Sequence, residues 1–195
     1  MFGLGNRFRK FEKAFYKRYG REGVDCPWLS PLLKLKGEEL QKAEELLLSE
    51  LTGKKRYWAI IGLGAIRSKR ASPLLKNLIA ECQGIVLVAI GRSLWKIEQY
   101  SKASELFVQV YQDTASSSYD RMDAIIELKA FNRQHENVLY AALEDTDALV
   151  RSHAVEAILY NVLPAKEIDT IAIDIMSEEQ EKKDAALTRI KSSLS

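Results

Sequence analysis

The chain of 195 residues is poor in several residue types, and each scarcity excludes something. It has two cysteines, Cys26 and Cys82, too few and too far apart to form a disulfide framework. With only His135 and His153 beside them, they make a poor metal site. Ten glycines and four prolines are few for an all-β or loop-rich protein. No apolar run approaches the roughly 18 residues that span a bilayer. The N-terminal residues Met1 to Asn6 lack the apolar core of a signal peptide. The expectation is a chain of the reducing cytoplasm, without metal or other cofactor.

What is present is a globular composition, 47% hydrophobic and 29% charged. The net charge of +2 hides an asymmetry. Arg7, Arg9, Lys10, Lys13, Lys17, Arg18 and Arg21 stand against Glu12 alone in the first 21 residues. The rest of the chain holds 22 basic and 26 acidic side chains, so a basic head precedes a mildly acidic body.

The body repeats. Alanine recurs at Ala59, Ala89, Ala124 and Ala154, and Arg56, Arg121 and Arg151 each stand three residues before theirs. Leu63, Leu128 and Ile158 follow at +4. A small residue lets a neighbouring helix approach, and the +4 residue continues the same buried stripe. After each block comes a second amphipathic stretch: Leu74, Leu75, Leu78 and Ile79; Leu106, Phe107, Val110 and Tyr111; Val138, Leu139, Ala142 and Leu143; Ile168, Ile171, Ala172 and Ile175. Ser72-Pro73, Gly84, Ser116-Ser117-Ser118, Asp145-Thr146-Asp147 and Pro164 punctuate them. The pattern predicts an all-α protein, a right-handed α-solenoid of about four to five helix pairs. A non-repetitive bundle also carries leucine stripes, and the repeated Arg-x-x-Ala register is what separates the two.

Residues 139–159 carry a resemblance. A leucine-rich helix runs into Asp145-Thr146-Asp147, then Val150-Arg151, then an alanine-rich helix through Ala154 and Ala157. This resembles the HEAT-like repeats first named from phycobilisome lyases. Residues 47–66 match moderately and 74–97 loosely, and the resemblance covers roughly residues 38–176. It implies stacked helix pairs. About activity it says little, because the family includes scaffolds, adaptors and a few enzymes. The expected organisation is a basic aromatic helix and join over 1–36, a repeat array over 37–176 and a capping helix over 177–195.

Phe8, Phe11, Phe15 and Tyr19 share one helical face among the basic residues. They suit a cap packed on the first repeat, and also an anionic-membrane helix, a phosphate-binding face or a contact for an acidic partner. Trp58 and Trp95 are read as packed between repeats, and Trp28 as a plug at the join. Arg56, Arg121 and Arg151 are expected to bond the neighbouring inter-helix turns, with Asp145 and Asp147 suited to Arg151. Gly62-Leu63-Gly64 has neither a preceding strand nor a following Gly-Lys-Ser/Thr, so close helix packing explains it. His135 and His153 have no partner at catalytic spacing in the sequence, and Glu38-Glu39, Glu44-Glu45 and Glu178-Glu179 read as solvated faces.

No catalytic constellation is complete, so the leading expectation is a non-enzymatic protein-binding module: an adaptor, a scaffold or an immunity-type inhibitor. Its contact residues would come from the second helices: Lys76, Asn77, Glu81, Gln109, Gln112, Tyr140, Glu144, Asp169 and Asp174. That set leans acidic and favours a basic partner. Nucleic-acid binding through the basic head is the first alternative. A lyase- or chaperone-like protein acting on a bound chromophore, which the resemblance invites, is the second.

Overall fold

A computed structural model describes residues 6–17 and 26–194. Tyr19, Arg18 and Arg21 of the basic head lie outside them. Twelve α-helices and three short 3-10 turns account for the regular structure, with no strand among the described residues. The residues group into two compact units. One comprises residues 1–81 and 89–101, the other 82–88 and 102–195.

The first unit holds α1 (Asn6–Tyr16), α2 (Leu29–Leu33), α3 (Gly37–Ser49), α4 (Arg56–Ala65) and α5 (Ala71–Leu78). It also holds most of α6 (Gly84–Glu98), whose first turn belongs to the other unit. The 3.6-residue period puts Phe8, Phe11 and Phe15 on one side of α1. Phe11 and Phe15 are buried against Trp28, which is itself 1% exposed. The Trp28 ring meets Phe15 edge-on at 5.4 Å, Phe11 at 6.5 Å and Trp58 at 6.2 Å. Burial of each ring contributes about 1.5–3 kcal/mol, and edge contacts add about 0.5–1.5 each. Trp28 therefore fastens α1 to the body of this unit.

Helices α4 and α6 pack closely. Ser93 Oγ donates to Ile60 O at 2.9 Å, satisfying a hydroxyl that is buried with the helix face. A Cβ on Gly64 would lie 2.9 Å from the Ser93 Cα, so only glycine permits this approach. The Gly62-Leu63-Gly64 stretch is thus a packing device. Glu44, read above as part of a solvated face, instead accepts from Ser68 Oγ at 2.5 Å and from Arg70 Nη1 at 3.1 Å. The turn before α5 swings its hydroxyl and guanidinium over α3, a juxtaposition that helical periodicity does not encode.

The second unit holds α7 (Ala103–Gln112), α8 (Ser118–Leu128), α9 (Glu136–Ala142), α10 (Ala148–Leu159), α11 (Ala165–Met176) and α12 (Gln180–Leu194). Helix α8 starts at a capping box in which Ser117 and Asp120 satisfy each other's backbone N–H. The second carboxylate oxygen of Asp120 also accepts from the Ile85 N–H at 2.8 Å, serving the start of α6. Asp147 caps α10 through the N–H groups of Leu149 and Val150. Helix α10 is buried nearly all round, from Val150 and Arg151 to Ile158 and Leu159, and packs against α8, α9 and α11. Such a helix shows no amphipathic stripe because it has no wet face. Helix α12 covers α11 through Ala186 and Ile190, with Arg189 paired to Asp174 at 3.3 Å.

Candidate functional site

The recurrent arginines share a geometry. Each reaches back to a carbonyl five residues earlier: Arg56 Nε to Leu51 O at 2.7 Å, Arg121 Nη1 to Ser116 O at 3.1 Å, and Arg151 Nη1 to Thr146 O at 3.2 Å. Two also reach forward by 24 residues. Arg121 forks onto the Asp145 carboxylate at 2.8 and 2.9 Å, and Arg151 donates to Ile175 O at 3.0 Å. Arg151 further holds Asp145 O at 2.9 Å and Met176 O at 3.3 Å. Its guanidinium thus ties the turn before α10 to the C-terminal end of α11, where free carbonyls carry partial negative charge. The acid suited to Arg151 by sequence position serves Arg121 instead, and Arg151 reads only backbone in that turn. Burial alone would raise the Asp145 carboxyl, but the Arg121 fork and the Asp147 N–H hold it below the usual carboxylate range. These arginines are occupied by structure.

The expected second-helix contact residues divide into two groups. Asn77, Glu81, Gln109, Gln112, Glu144 and Asp169 are exposed. Lys76 is paired to Glu98 at 2.5 Å and lies 5.2 Å from the Tyr100 ring centroid, tying α5 to the end of α6. The Lys76 and Ser72 hydrogen bonds hold Glu98 below its ordinary range. Asp174 belongs to the α11–α12 pair just described, and Tyr140 is half-buried, with burial pushing its phenol up.

His153, without a partner at catalytic spacing in the sequence, does meet an acid in the structure: Nδ1 lies 3.3 Å from Glu156 Oε2 on the next turn of α10. No hydroxyl or thiol is hydrogen-bonded to that ring among the described residues. Nor, among these residues, does any group of three or more His, Cys, Asp or Glu stand close enough to hold a metal.

The head is different in kind. Because Phe8, Phe11 and Phe15 face inward, the basic residues of α1 fall on two flanks, Arg7 and Lys10 on one, Arg9 and Lys13 on the other. All four are exposed, as is Lys17, whose carbonyl accepts from Lys55 Nζ at 3.4 Å. On the first flank a cleft of about 810 Å³ opens. Arg7 and Lys10 of α1 line it together with Lys34 and Lys36 after α2, and with Pro27, Ser30, Pro31 and Leu33. No acid lines it. None of these four cations is ion-paired, hydrogen-bonded or ring-stacked among the described residues. On the far side of α1 the Tyr16 hydroxyl donates to Glu50 at 2.8 Å. Burial, then that hydrogen bond and the Glu50 charge, push the phenol up to about 12.

Sequence reading placed Arg7 and Lys10 on a basic surface but missed Lys34 and Lys36. Their signal was the alternation Leu32-Leu33-Lys34-Leu35-Lys36, in which buried Leu32 and Leu35 leave both lysines on the wet side. No family model, curated protein or solved structure matches this chain.

Proposed function

We propose that the chain is a non-enzymatic binding module, a HEAT-like α-solenoid whose basic head engages an anionic macromolecule. The observation that carries the functional part is the concave cluster of Arg7, Lys10, Lys34 and Lys36, with no acid in its lining among the described residues. Four like charges around one cavity repel, and an anion converts that repulsion into attraction. The HEAT-like part is supported by the shared carbonyl contact of Arg56, Arg121 and Arg151 and by the burial of all four repeat alanines. A solenoid would scatter with a radius of gyration above the roughly 16 Å of a compact domain of this length.

The function is tested by titrating the full chain with three polyanions: a single-stranded oligonucleotide, poly-L-glutamate and vesicles containing phosphatidylglycerol. Binding of at least one, weakening as salt rises, is expected. If all three fail at about 50 mM salt, the reading is wrong.

A second reading, contact with a basic protein segment, is favoured by α11. There Asp169 and Ile173, four residues apart on one face, are both exposed, Ile173 at 63%. Poly-L-lysine binding that Asp169→Lys weakens would support it, and binding indifferent to that change would count against it.

A further inference from the structure

Resting on the anionic-partner reading, we infer that the cleft grips the phosphodiester backbone of a single-stranded nucleic acid, with Arg7, Lys10, Lys34 and Lys36 as its phosphate contacts. Two observations favour this ligand among polyanions. A membrane-surface helix needs a free apolar face, and α1 has none to give. Phe11 and Phe15 are 0% and 1% exposed, locked against Trp28. Three of the four cations are lysines, point charges suited to phosphates strung along a backbone.

The second observation is shape. The cations come from two segments, α1 and the stretch after α2, around one cleft whose volume, about 810 Å³, lies in the range of ligand sites. A flexible strand can be drawn into such a cleft, as in grooves that track a single-stranded backbone. In the same lining, Ser30 supplies a hydroxyl donor, and Pro27, Pro31 and the exposed Leu33 offer apolar contact to sugars. The lining residues are cationic, hydroxylic and aliphatic, so affinity comes from phosphates and is indifferent to base sequence.

The magnitude follows from the count of cations. Neutralising about four phosphates of a single strand gives a slope of log affinity against log salt near −3, at roughly −0.7 per contact. Affinity therefore falls about 50-fold between about 50 and 200 mM salt. The experiment is fluorescence anisotropy of a labelled oligothymidylate of about 15 nucleotides with the full chain, repeated with a duplex of equal length. In Lys34→Gln/Lys36→Gln the slope should halve and the loss over the same range shrink to about 7-fold. In Arg9→Gln/Lys13→Gln, which removes the same charge from the opposite flank of α1, the slope should stay near that of the unaltered chain. Circular dichroism establishes that both variants are folded, as expected for exposed side chains. An equal change of slope in both variants would overturn the cleft as the site, and duplex binding as tight as the single strand would overturn the strand preference. Should poly-L-glutamate or phosphatidylglycerol vesicles bind while the oligonucleotide does not, this inference fails and the anionic-partner reading stands. Should nothing bind, both fail.

Discussion

Replacing Arg151 by methionine keeps an unbranched, largely apolar stem and removes every donor. Arg151 is 6% exposed and its guanidinium serves four backbone carbonyls. The contacts to Asp145 O and Ile175 O, at 2.9 and 3.0 Å, are the strong ones, while those at 3.2 and 3.3 Å are weaker. A hydrogen bond from a charged donor is worth about 1.5–3 kcal/mol, and the contributions do not add fully. The carbonyls at the end of α11 can recover some water, so the expected loss is about 3–5 kcal/mol. The assay is urea unfolding followed by far-UV circular dichroism. Tryptophan fluorescence is the wrong probe, because Trp28, Trp58 and Trp95 all lie in the first unit and Arg151 in the second. With a slope of about 2 kcal/mol/M, the midpoint of the second unit should fall by about 2 M. Arg151→Lys should recover less than half of this, since a point-charge ammonium cannot span carbonyls on two segments. Arg70→Gln provides the contrast. That guanidinium is 60% exposed and paired only to Glu44, so the cost should stay below about 0.5 kcal/mol. A loss below about 1 kcal/mol for Arg151→Met, or full recovery by lysine, would refute the role given to this guanidinium.

Two further outcomes follow from the packing. The Asp145 carboxyl is held below its ordinary value in the folded state. Its contribution is complete above the unfolded value and disappears as pH falls through the lower folded one. The gap in urea midpoint between the unaltered chain and Asp145→Asn should therefore be widest near neutrality and narrow from about pH 4 downward; a gap independent of pH would contradict the Arg121 pairing. Gly64→Ala should destabilise by about 1–3 kcal/mol in thermal unfolding, because its Cβ meets the Ser93 backbone across α4 and α6. At a helical site without that neighbour the same change would stabilise by up to about 1 kcal/mol, so the sign decides.

Much of the fold was legible because it rests on local periodicity. The recurring alanines lie in α4, α6, α8 and α10 and are all buried, and the second amphipathic stretches are α5, α7, α9 and α11. Trp28 plugs the join, as its place between Pro27 and Leu29 suggested. What escaped is what depends on residues brought together from a distance. Spacing showed that Arg121 and Arg151 face inter-helix turns. It did not show that Asp145 would choose the arginine 24 residues before it over the one six residues after. Lys76 and Asp174 carry the polar periodicity of an outward face, yet each finds a counter-ion on a neighbouring helix. The cleft was invisible for the same reason: Lys34 and Lys36 acquire Arg7 and Lys10 as neighbours only once Trp28 has drawn α1 onto its unit.

The Arg151 contacts have a consequence for how such a chain can change over time. A guanidinium that reads only carbonyl oxygens is blind to the side chains of the segments it joins. As far as Arg151 is concerned, the residues whose carbonyls it holds, at 145, 146, 175 and 176, can change provided their backbone paths persist. Arg121 is bound differently, since its fork requires the Asp145 carboxylate itself. The Arg151 junction can therefore be copied with a single residue, whereas the Arg121 junction needs two matched ones. Helix pairs held by the first kind of joint can therefore differ widely in sequence while keeping the arginine.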